Sequence, residues 1–176
     1  MFLIGALIAT VHMSGVPVPD TDSSSRARGC DTVLVRSPQS TDRKERFTPD
    51  FSATRILDLQ LDTVLGADVQ GSHLLQLRLY TPKGHLYQVL SVPFTVAASG
   101  EGRPAAKRWV DGYPQPLDEQ PVKSIRHQGS MRRGVSATLP VAGTSIMTSS
   151  LYGRWMVEPY LDDRRCGAAR AFVIGP

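Results

Sequence analysis

Between Ile56 and Tyr80 the chain twice alternates leucine with polar residues, and this alternation restricts its fold more than any other feature. Leu57, Leu59 and Leu61 are interleaved with Asp58, Gln60 and Asp62, and Leu75, Leu77 and Leu79 with Gln76, Arg78 and Tyr80. Successive side chains of a strand point to opposite faces, so this period predicts half-buried β-strands, leucines inward and Asp58 and Asp62 outward in water. Residues 66–71 read as a turn that makes the two runs partners. Pro82-Lys83-Gly84 is a second tight turn, and residues 85–92 return as a third strand. Three strands at this spacing predict an antiparallel meander.

Further strands are expected at Asp31–Arg36, Val135–Val141, Arg154–Glu158 (extended to Leu161) and Ala169–Ile174. No segment sets apolar residues at i, i+3, i+4 and i+7 behind a cap, so no helix is expected, and no internal repeat is visible. About seven short strands punctuated by Gly and Pro predict an all-β, antiparallel two-sheet sandwich. Residues 97–134 break the rhythm with Gly100, Gly102, Pro104, Gly112, Pro114, Pro116, Pro121, Gly129 and Gly134. Such a long irregular insertion is a functional loop, a partly ordered segment, or an excursion carrying one edge strand around Pro121–Ile125.

The two cysteines, Cys30 and Cys166, bracket almost the whole body of this 176-residue chain, downstream of an apolar start, Met1–Val11. An even pair behind such a run suggests one long-range disulfide in an oxidising compartment. The run is about as long as a signal-peptide core and well short of the roughly 20 residues that span a bilayer. Residues 1–15 therefore read as a signal peptide or, since no basic residue precedes the run, as a buried first strand. Residues 16–29, rich in Pro, Ser and charge, read as a flexible linker. That leaves residues 30–176 as a single sandwich domain with its insertion at 97–134, and places the protein in the periplasm, outside the cell or at its surface, without a spanning helix.

Chemistry-bearing patterns are sparse. His12, His73, His85 and His127 lack the spacing of zinc ligands. His73 and His85 approach one another only if the hairpin between their strands allows it, and read as polar strand-end residues. There is no Gly-x-Ser-x-Gly elbow. Ser149 and Ser150 belong to a Ser/Thr-rich turn, and Asp162-Asp163 lacks the ligand spacing of a calcium loop. We expect no catalytic, metal or cofactor site and a function that is not enzymatic. The formal charge of +4 and pI near 9.3 favour loose association with anions. No basic stripe is interleaved with aromatics, so no specific nucleic-acid partner is expected. Binding remains. Arg108, Trp109, Tyr113 and Arg126 in the insertion have the composition favoured at interfaces; alternatively Trp109 and Tyr113 pin the loop to the sandwich.

The segment Leu151–Asp163 resembles the penultimate strand of immunoglobulin-like and fibronectin type III-like domains. There a Gly precedes an aromatic that enters the core and a Val follows two residues later, as Gly153, Trp155 and Val157 do here, with Tyr152 in the corner position. The resemblance implies an immunoglobulin-like sandwich acting as a binding, adhesion or structural module. Its partner would be an unidentified protein or an envelope polysaccharide. An accessory subunit of a cell-envelope complex is the alternative, and an unrecognised hydrolytic enzyme a more distant one. In such domains part of the first strand pairs in parallel with the last. That would set Cys30 and Cys166 at one end, near the roughly 5.5–6 Å Cα separation a disulfide prefers. The inter-sheet cysteine pair of antibody domains is missing, and the long insertion fits neither family.

Overall fold

The computed structural model describes residues 29–38, 50–97 and 107–176; the apolar start and nearly all of the linker lie outside them. In chain order the elements are β1 (Cys30–Arg36), β2 (Asp50–Ser52), β3 (Asp58–Leu65), β4 (Gly71–Tyr80), β5 (Leu86–Val96), β6 (Lys123–His127), β7 (Ser130–Pro140), α1 (Ser145–Thr148), β8 (Gly153–Leu161), β9 (Arg164–Arg165) and β10 (Arg170–Gly175). They form two sheets. One runs β1-β3-β7-β6; the other runs β2-β10-β8-β4-β5, with β9 added to β8. The fold is the expected all-β two-sheet sandwich. The one helical turn, α1, was not foreseen; Thr144 caps it by accepting from the Ile146 amide.

The core follows from the alternation. Leu59 and Leu61 of β3 lie in register with Leu139 and Ala137 of β7. Leu75, Leu77, Leu79 and Val157 supply the second sheet's inner face, and all of these but Ala137 are fully buried. Each leucine so buried contributes roughly 1.5–3 kcal/mol before entropy is counted. Trp155 is the largest buried side chain. Tyr87 meets it edge-on at 5.1 Å, Phe172 stacks at 6.3 Å, and its indole N–H donates to the Leu151 carbonyl at 2.9 Å. That bond satisfies the one polar group the indole takes inside.

Four expectations are corrected. Leu57 is 64% exposed, because it precedes β3 where the chain is still turning; its carbonyl accepts from the Val141 and Ala142 amides. Asp62 does face outward but is completely buried, under Arg36, Lys123, Ser136 and Gln60. A carboxylate is stable there because cations and hydrogen-bond donors surround it. The Leu57 and Leu75 runs are not partners: β3 and β4 belong to opposite sheets, and only β4 and β5 form the hairpin. Finally, β1 pairs antiparallel with β3, and it is β2 that lies parallel to β10.

Cys30 and Cys166 are bonded, with Cα atoms 4.9 Å apart. The bridge joins β1 of one sheet to the β9–β10 connection of the other. The Cys30 amide donates to the Cys166 carbonyl at 3.0 Å, and the Cys166 amide to Pro159 at 3.1 Å. The insertion carries an edge strand, β6, two residues beyond the expected place, and β7 begins inside the segment read as irregular.

Candidate functional site

The outer face of the second sheet is built by the residues that alternate with its core. On β4 these are Leu74, Gln76, Arg78 and Tyr80, which stand opposite Tyr160, Glu158 and Met156 of β8 from Gln76 onward. On β5 they include Val89 beside Arg78 and Ser91 beside Gln76. Residues 107–122 cover one end of this face. The loop is closed by paired amide–carbonyl bonds between Arg108 and Leu117, and the Gln120 amide donates to Pro93 at 2.9 Å. Tyr113 sets its hydroxyl against Ser91 and within 3.4 Å of the Gln76 amide group, and Glu119 accepts from the Thr95 hydroxyl.

Among the described residues no loop covers the other end. Arg78 lays its guanidinium 3.8 Å from the centre of the Tyr160 ring. Tyr160 donates to Glu158 at 3.3 Å, and Arg165 lies 3.5 Å from the same carboxylate. Around this network Met156, Val89, Leu86 and Arg154 are exposed. Burial first, then the Glu158 carboxylate and Tyr160, push the Tyr80 phenol above its ordinary 10.0, while Arg78 pulls it down. The result is a shelf of Tyr, Arg and Met with an aliphatic margin, the residue types enriched at protein interfaces.

Of the residues singled out in the sequence, Arg108 and Tyr113 pin the loop. Arg108 donates to the His73 carbonyl at 3.2 Å and, longer, to Phe94 at 3.4 Å. Trp109 does not pin it; at 72% exposure it stands in solvent between them. Arg126 is not part of this site, being on β6 of the other sheet. His73 and His85 lie at opposite ends of the β4–β5 hairpin. His73 instead contacts Asp162 through Nδ1 at 2.7 Å and the Gln70 carbonyl through Nε2 at 2.8 Å. Asp162 also accepts from the Leu74 amide at 2.9 Å, which ties the tight Asp162-Asp163 turn, both residues at positive φ, to the start of β4. His12 lies outside the described residues.

Sequence reasoning missed Arg78, Tyr80, Met156 and Tyr160 as a site, although the signal was there. They are the outward members of two alternating runs, and only the pairing of β4 with β8 brings them together. A scan against protein-family models finds no match for this chain, and a search of curated proteins finds none either. The fold and face therefore define its class: a disulfide-bridged β-sandwich with one open, aromatic- and arginine-bearing sheet face.

Proposed function

We propose that this protein is an exported, non-catalytic immunoglobulin-like domain that works as a protein-binding module through the open face of its second sheet. The carrying observation is the cluster of half-buried Arg78, Tyr160 and Tyr80 beside exposed Met156 on the outer face of the sheet, with Trp109 exposed in the adjoining loop. The strand order supports the fold reading: β1-β3-β7-β6 against β10-β8-β4 corresponds to the ABED and GFC sheets of immunoglobulin-like sandwiches. The short parallel β2 beside β10 agrees with a split first strand. Export is supported by the inter-sheet disulfide, which persists in oxidising compartments. Among the described residues no helix is long and apolar enough to cross a membrane.

A protein is favoured over a polysaccharide because the Arg78 guanidinium occupies a face of the Tyr160 ring that a sugar would need for stacking. The export half of the reading is tested on protein purified from its own cells, by N-terminal sequencing and a free-thiol assay. A mature start beyond the apolar run with no reactive thiol supports it. A chain that starts at Met1 with two reactive thiols overturns it.

A further inference from the structure

The β6–β7 hairpin takes no part in that face. β6 pairs with β7 over Ser130–Gly134, whereas β3 takes up β7 only from Gly134 onward, so the hairpin runs past the sheet as a two-stranded ribbon. Its root is fixed: Ile125 is buried against Gly134, where a Cβ would come within 2.2 Å of the isoleucine. Its tip is a two-residue turn with Gln128 and Gly129 both at positive φ, the arrangement that suits the twist of a hairpin.

No Asp or Glu occurs from Gln120 to Val157. Among the described residues Arg36, Lys123 and Arg132 stand on the Asp62 face of the sheet and ribbon, whereas Arg126 and Arg133 share the opposite face of the ribbon with Met131. Arg132 is paired with Asp31, and Arg133 donates to the Ala67 and Val69 carbonyls. Arg126 has no ion pair among the described residues. Its cross-strand neighbour is Met131, which is 59% exposed. The ribbon thus presents, among the described residues, a guanidinium without an ion-pair partner beside an exposed apolar side chain.

We infer that this ribbon docks on an anionic lipid surface, Arg126 on a headgroup phosphate and Met131 at the acyl boundary. A guanidinium fork matches phosphate oxygens, and a cation near such a surface strengthens binding by roughly fivefold. A two-stranded tip is too narrow to bury the roughly 800 Å² per partner of a stable protein complex. A soluble polyanion would engage the arginine and leave Met131 in water; a lipid interface accommodates both.

The test is flotation of the full chain with vesicles of equal parts phosphatidylglycerol and phosphatidylcholine, against phosphatidylcholine alone. The protein should float with the anionic vesicles only, less so as salt is raised. Arg126→Glu should lower the bound fraction roughly tenfold, Met131→Ser should lower it measurably at unchanged net charge, and the charge-matched Arg164→Glu should leave it as it was. Both test residues are exposed, and an unchanged thermal midpoint verifies folding. No flotation, or flotation that neither Arg126→Glu nor Met131→Ser reduces, overturns the inference. So does competition by dextran sulfate together with indifference to Met131→Ser, which would mark a general polyanion site.

Discussion

Arg78 and Tyr160 are locked face to face, the guanidinium carbon 3.8 Å from the ring centre, on adjacent strands of the open sheet. The contact is worth about 0.5–1 kcal/mol at a surface site. Its larger effect is to fix two long side chains in place before a partner arrives, which lowers the entropy that binding must overcome. Glu158 and Arg165 extend the same network toward β9.

Tyr80 reports on this network through its proton. Its phenol is raised above 10.0 by burial and then by Glu158. In Glu158→Gln the burial persists and the charge is gone, so the Tyr80 titration, followed by carbon NMR of labelled tyrosine, should fall toward 10.0 and remain above it. The folded protein holds a proton that the unfolded chain releases near pH 10. This contribution to stability is therefore complete below pH 10 and is lost as pH rises from there through the folded value.

Removing the Cys30–Cys166 bridge frees the unfolded chain over a separation of 136 residues. Replacing both cysteines by alanine should lower unfolding free energy by roughly 5 kcal/mol in the chain-entropy model, and by 2–5 kcal/mol in typical practice. Urea titration of the double variant against the oxidised protein measures the loss. A change below the lower figure would mean that the bridge restrains little.

Gly153 opens β8 at φ +130, and a Cβ there would lie 3.1 Å from the Pro82 ring. Gly153→Ala should cost about 1–3 kcal/mol, from the strained backbone conformation and the displaced proline. The same titration checks it.

The two tryptophans should separate by fluorescence. Trp155 is fully buried and Trp109 mostly exposed. Trp109→Phe should remove the red-shifted, acrylamide-quenchable emission and leave stability within about 0.5 kcal/mol. Trp155→Ala should cost about 3–5 kcal/mol.

Much of the sandwich was legible because period two survives wherever one face is buried, as at Leu75–Leu77–Leu79 and Trp155–Val157. Pairing was not. Period two says which face is inside, and nothing in it tells whether Leu59 and Leu75 share a sheet. Three-residue β2 is too short to carry a period. Leu57 kept the rhythm but sat one residue outside the strand. Asp62 looked solvated because the cations that cover it, Arg36 and Lys123, come from β1 and β6, distant in sequence. Tyr113 pins its loop through hydroxyl bonds to β4 and β5, contacts that leave no trace in hydropathy.

The binding face is tested most directly by placing a photo-crosslinking residue at Met156, at Trp109 and, on the opposite sheet, at exposed Thr138, in cells that make the protein. The account predicts a discrete protein adduct from Met156 and Trp109, lost when Arg78→Glu is added, and none from Thr138. Equal labelling from all three positions, or no protein adduct from Met156, would contradict it.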